Sequence, residues 1–169
     1  MKKFIFITLG IIAGLIILFF AVGLFSKAEF SCTETRVINA PAEKIWILLN
    51  DLKGLPERRH EVIKIEILNN NNLGFKTWKE YTDMQGYILF EITEQIPEQL
   101  LTINMKESSF GMTGTWKYEL VQEGQKTKVT ISENSRIDEI KLRSLMTFIG
   151  RNSNIRNEFK LIEEGLRYN

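Results

Sequence analysis

Three patterns of apolar and polar residues divide the chain. Phe4–Phe25 is an unbroken run of 22 uncharged residues, 16 of them Phe, Ile, Leu or Val. From Glu61 to Ile137 apolar residues fall mostly at every second position, the period of strands with one dry face. From Asp138 to Tyr168 they return every three or four positions, as on a helix. Between the first two patterns, Ser31–Asn39 is β-prone. Ala40-Pro41-Ala42-Glu43 then opens a helix, because proline suits a first helical turn. Ile45, Trp46, Leu48 and Leu49 continue it, Asn50-Asp51 and Gly54 end it, and Leu55–His60 is a short link.

The period-two region divides into six strands. Glu61–Leu68 sets Ile63, Ile65 and Ile67 on one face. Four asparagines, Asn69–Asn72, suit a hairpin loop because Asn tolerates left-handed backbone angles. Gly74–Thr82, Gly86–Gln95, Leu100–Lys106, Met112–Val121 and Lys126–Ile137 follow, separated by turn signals at Asp83–Gly86, Pro97-Glu98, Ser108–Gly111 and Glu123-Gly124. The last pattern places Leu142, Leu145, Met146, Ile149, Ile155, Phe159, Ile162 and Leu166 on a stripe. Gly150 and Asn152 break it, so a short helix precedes a longer one. Strand, helix, six strands, helix is an α+β order. It predicts a curved antiparallel sheet of about seven strands wrapped round a long C-terminal helix.

As a helix, Phe4–Phe25 would be about 33 Å long at ~1.5 Å per residue, against a hydrocarbon core of ~30 Å. Its 16 strongly apolar residues contribute roughly −5 to −10 kcal/mol on the insertion scale. A cleaved signal peptide is the competing reading. Its apolar region would run ~7–15 residues to a small-x-small site, whereas Ser26-Lys27-Ala28 has a lysine inside that site. The length favours a retained anchor over residues 1–27, with a domain over 28–169. Lys2 and Lys3 put the amino terminus in the cytoplasm and the domain on the non-cytoplasmic side. Gly10 and Gly14 form a G-x-x-x-G pair through which two anchors could meet as a weak homodimer, although small residues are common in membrane helices anyway.

Composition narrows the remainder. Lys and Arg number 22 and Asp and Glu 21, a net charge of +1, which argues against a nucleic-acid partner. One Cys excludes an intramolecular disulfide, and one His with one Cys argues against a structural zinc site; no metal and no cofactor are expected.

Several segments carry a resemblance. Ile38-Asn39-Ala40-Pro41-Ala42-Glu43-Lys44-Ile45-Trp46 is similar to the strand-to-helix opening of the helix-grip superfamily, the START-like or SRPBCC group. Leu55-Pro56-Glu57-Arg58-Arg59, with Val62 and Ile65-Glu66-Ile67-Leu68, resembles its next segment. Trp78-Lys79-Glu80, Gly114-Thr115-Trp116-Lys117-Tyr118-Glu119-Leu120 and Val129-Thr130-Ile131-Ser132-Glu133 resemble its polyketide cyclase-like branch. The ordered set covers about residues 33–167. It departs from the branch at Arg58, where a Trp is usual. The resemblance implies a cavity between sheet and C-terminal helix that takes a hydrophobic or lipid-like small molecule, lined by Arg58, Trp78, Glu80, Phe90, Met105, Trp116, Tyr118, Ile131 and Glu133.

Within such a cavity a carboxylate at Glu80 or Glu133 would have a raised pKa and could act as acid or base. Both are instead expected to pair with Arg58, Arg136 or buried backbone and hold the cavity mouth. His60, beside Glu57-Arg58-Arg59, reads as a solvated rim residue, and Cys32 lacks a base in reach. Trp78, Trp116 and Tyr118 could stack on a flat ligand, although core packing alone explains aromatics at alternate strand positions. Three functions remain in view. They are a membrane-anchored binding domain, a cyclase- or hydrolase-like enzyme using an in-cavity carboxylate, and an accessory interaction module whose cavity is filled.

Overall fold

A computed structural model describes residues 2–68, 72 and 74–167, with Lys2 as backbone only. Helix α1 (Lys2–Phe25) leads through three residues into strand β1 (Glu29–Ile38). Helix α2 (Ala42–Asn50), the four-residue helix α3 (Leu55–Arg58) and six strands follow: β2 (Val62–Ile67), β3 (Thr77–Thr82), β4 (Tyr87–Ile96), β5 (Leu100–Ser108), β6 (Met112–Glu123) and β7 (Lys126–Ile137). Helices α4 (Ile140–Ile149) and α5 (Ser153–Gly165) close the chain. The sheet is one antiparallel layer in the order β1-β7-β6-β5-β4-β3-β2, so the first strand after α1 pairs with the last. This is the helix-grip architecture, with α5 as the gripped helix.

The elements form for local reasons. Pro41 has no side-chain cap to offer, and Gln122 of β6 does that work: its Oε1 accepts from Ala42 N at 2.6 Å, satisfying one of the orphan donors at the start of α2. Gly150, at φ 94°, takes a backbone conformation that other residues resist, which stops α4 and lets α5 start in a new direction. Ile155, Phe159 and Ile162 of α5 are buried against Ile45, Ile131, Val129 and Trp116 in a single core.

Three expectations change. The link at 55–60 contains a helical turn rather than coil. On β2 it is Val62 that is buried, while Ile63 is 64% exposed and Ile67 also faces solvent. A register shift between Val62 and Lys64 turns this edge strand over. Leu145 and Ile149 belong to the periodic stripe, yet they too are exposed. Asn69, Asn70 and Asn71 of the expected asparagine loop, and Tyr168, lie outside the described residues.

Helix α1 is long and apolar enough to cross a membrane, and its residues from Lys3 to Leu18 are exposed. Its last turns pack on α4. Ser144 Oγ donates to Phe19 O at 2.7 Å, Ser26 and Thr147 hydroxyls meet at 2.9 Å, and the rings of Phe19 and Phe148 stack at 6.0 Å. A Cβ at Gly23 would overlap Ser144 Oγ and the Ile140 carbonyl, so this close approach requires glycine. Gly10 and Gly14 have open space around them.

Candidate functional site

A cavity of about 260 Å³ opens between the concave face of the sheet, α2, α3 and one side of α5. Its walls are apolar. Trp78 and Phe90 stack at 5.4 Å on neighbouring strands, and Trp116 meets Phe90 edge-on at 6.5 Å. Register pairs Trp78 with Phe90 and Phe90 with Met105, so the period-two pattern delivers one row of large side chains to the same face. Leu48, Leu52 and Ile162 close the opposite side.

One end of the cavity is charged. Arg59 forms an ion pair with Glu158 of α5 and another with Glu80 at 3.6 Å. Glu80 is 3% exposed and accepts from Trp78 Nε1 at 2.9 Å. Tyr118 Oη donates to the second oxygen of Glu158 at 3.1 Å. Burial opposes the charge on Arg59, but Glu158 and Glu80 outweigh it and hold the guanidinium more firmly protonated than in water. Burial pushes the Glu80 carboxyl up, against the pull of Arg59 and Trp78. Burial and the neighbouring Glu158 keep Tyr118 a phenol well past its usual range. Glu158 and Glu80 thus share one buried cation, with the more exposed Glu61 at 4.0 Å from the same guanidinium.

Of the nine residues expected at the site, Arg58, Trp78, Glu80, Phe90, Met105, Trp116 and Tyr118 line this cavity. Ile131 and Glu133 are wholly buried but do not, because α5 lies directly over β7 there. Glu133 accepts from Ser135 at 2.6 Å and from Asn154 of α5 at 2.9 Å, with the Cys32 thiol 3.8 Å away. It thus fastens the gripped helix to the sheet. Burial raises its carboxyl, opposed by those hydrogen bonds. The expected pairings with arginine also change. Arg58 bonds Asp51 at 2.5 Å and the carbonyls of Leu48 and Asp51, Arg136 bonds Glu29 and Asp138, and it is Arg59 that reaches Glu80. The Arg58 guanidinium holds Asp51 below the usual carboxylate range despite partial burial.

His60 is exposed. Cys32 is pushed up to about 11 by burial and by Glu133, so it is a thiol at neutral pH. Among the described residues no group of three His, Cys, Asp or Glu side chains is placed to hold a metal. Sequence reasoning missed Arg59, Glu158 and Asn157 of the lining. Glu158 had a signal: it lies three residues from Ile155 and four from Ile162, a charge within the apolar stripe of α5.

Comparison with known proteins agrees with this architecture. The family model described as polyketide cyclase / dehydrase and lipid transport matches residues 29–151. Among solved structures, a START superfamily protein from Mycobacterium smegmatis is similar at a TM-score of 0.64 and 14% identity, covering 82% of this chain and 97% of that one. The Zhui aromatase/cyclase from Streptomyces sp. R1128 is similar at 0.66 and 13%, covering 81% and 93%. Norcoclaurine synthase from Thalictrum flavum, in complex with dopamine and hydroxybenzaldehyde, is similar at 0.62 and 13%, covering 88% and 91%. At such identities the likeness is one of fold. No curated protein matches the sequence.

Proposed function

The chain belongs to the polyketide cyclase / dehydrase and lipid transport family, and from that premise we propose that residues 28–169 bind a small amphipathic molecule while residues 1–27 anchor them to a membrane. The observation that carries this reading is the cavity itself, apolar along its walls and ionic at one end. About 150 Å³ suffices for benzene in an apolar site, and drug-sized ligands occupy ~300–1,000 Å³. A space of about 260 Å³ therefore suits a substituted ring or a single short chain rather than a two-tailed lipid. The apolar part would lie on Trp78, Phe90 and Trp116, and a hydrogen-bonding head would meet Arg59 and Glu80.

The anchor reading follows from the length and apolar surface of α1, with the amino terminus cytoplasmic and the domain outside by the charge of Lys2 and Lys3. Gly10 and Gly14, on an open face, are where a weak homodimer would form.

Native mass spectrometry of the gently extracted full chain tests the binding reading, by seeking a co-purified small molecule. Titration with an apolar fluorescent probe adds a number. Ile103→Trp, which fills the cavity, is expected to weaken the probe at least tenfold while the fold melts normally. Equal binding by this variant would place the probe elsewhere and defeat the reading. Carbonate-washed membranes should retain the protein at full mass; a soluble form starting after Ala28 would remove the anchor.

An enzyme is the second reading, favoured by one observation: Glu80 is a cavity-lining carboxyl with a raised pKa. It requires Glu80→Gln to abolish turnover of the co-purified compound while leaving its affinity unchanged.

A further inference from the structure

We propose that α4 is itself a membrane-inserted element, lying in the lipid interface against the end of α1 and seating the domain on the bilayer. This rests on the reading of α1 as a membrane anchor.

The contacts between the two helices sort by depth. Arg143 and Thr147 of α4 bond Ser26, the residue just beyond the outer end of α1, while Ser144 and Phe148 meet Phe19 further in. Helix α4 therefore crosses α1 with one edge at the level of Ser26 and another at Phe19. Seven residues of helix separate those levels by about 10 Å. An amphipathic helix lying on a bilayer buries its apolar face ~5–10 Å below the boundary. With α1 spanning and Lys27 at the lipid headgroups, α4 sits at that depth without any rearrangement.

The exposed surface of α4 fits the same placement. Phe148 is 61% exposed, Ile149 49% and Leu145 46%, on a helix whose other face buries Met146 in the domain. These side chains continue the apolar surface of α1 rather than forming an isolated patch. Around them stand Lys27, Lys141, Arg151 and Arg156, none paired with a carboxylate among the described residues. Arg151 bonds the carbonyls of Lys27 and Glu29, and Arg156 bonds that of Ile149, which holds two of these cations at the rim of the patch. A cationic rim round an apolar face matches anionic lipid headgroups above acyl chains. Asp138 already pairs with Arg136, and Glu139, the exposed residue before α4, offsets one of the four cations, so the rim stays net positive. Lys141, on the exposed side, has a stem long enough to reach the headgroups.

The test uses the full chain with Cys32→Ser, reconstituted in phosphatidylcholine vesicles with and without phosphatidylglycerol. Single cysteines replace Phe148, Leu145, Ile12 or Lys53 and carry an environment-sensitive fluorophore. The expected result is quenching at positions 148 and 145 by lipids labelled high on the acyl chain, and protection there from aqueous iodide. Position 12 should be quenched by lipids labelled near the chain end, and position 53 by iodide. If position 12 is deep but 148 and 145 are quenched by iodide, the inference fails while the anchor stands. Labels at 148 and 145 shielded from both quenchers would mean a protein covers the face, which also overturns the inference. If position 12 is aqueous, the anchor reading fails and takes this one with it. Measuring two positions on α4 guards against one label disturbing the Phe19–Phe148 stack.

Discussion

Arg59 and Glu80 face each other at 3.6 Å in the cavity wall, their side chains 19% and 4% exposed. Removing Arg59 leaves Glu80 without a cation in a place that water barely reaches, whereas removing Glu80 leaves Arg59 still paired with Glu158. Arg59→Met should therefore cost about 3 kcal/mol, the low end of ~3–5 kcal/mol for breaking a buried pair, since Arg59 keeps some contact with solvent. Adding Glu80→Gln should recover part of that loss. Denaturant unfolding measures both; a cost for Arg59→Met under ~1 kcal/mol would make the pair equivalent to a surface one.

Glu133 gives a pH signature. Its carboxyl is raised in the fold above its ordinary 4.5, chiefly by burial. A raised acid contributes stability that is complete below the unfolded pKa and is lost as pH rises through the folded one. Glu133→Gln does not titrate, so the stability difference between parent and variant should shrink as pH rises above the ordinary 4.5 and through the raised folded value. Melting curves across that range check the sign. A difference that grows with pH would mean the hydrogen bonds from Ser135 and Asn154 outweigh burial.

Cys32 should be a poor nucleophile. With its pKa pushed up to about 11, its thiolate fraction at pH 8 is on the order of 10²-fold below that of a free cysteine. Alkylation by iodoacetamide should be slower by that factor in the native protein and ordinary after denaturation. Glu133→Gln should speed the native reaction by removing a neighbouring negative charge.

Trp116 is buried on the sheet side and lines the cavity on the other. Trp116→Ala should cost about 3 kcal/mol, the low end of ~3–5 kcal/mol for such truncations, because one face of the ring already borders empty space. It should also weaken an apolar probe. Unfolding and probe titration on the same protein separate the two effects, and a cost below ~1 kcal/mol would contradict the packing against Phe90.

The architecture was readable because its signals are local and repeated. Period two over six segments and a broken 3.6-residue stripe were enough for the sheet and for α4 and α5, and β7 begins and ends where the pattern does. Which of two adjacent arginines points inward was not readable. Arg58 and Arg59 are chemically identical and both line the cavity, and a single turn of helix decides that one bonds Asp51 and the other reaches Glu80. Periodicity also named the apolar residues of α4 without saying what covers them. Leu145 shares the spacing of Met146's stripe, yet only Met146 reaches the core. Ile131 and Glu133 were placed in the cavity because strand phase gives the face but not where α5 presses on it.

Only Ser26, Lys27 and Ala28 separate α1 from β1, and fully extended they reach about 10 Å at ~3.3–3.6 Å per residue. A globular unit of this size has a radius of gyration near 14 Å. The link is thus shorter than the body it carries, and β1 is zipped along its whole length to β7. With α1 in a bilayer, the unit cannot tumble on a leash or swing out toward a distant partner. Its encounters become those of a two-dimensional search, set by lateral diffusion, and whatever it meets must arrive within the plane or at a fixed height above it.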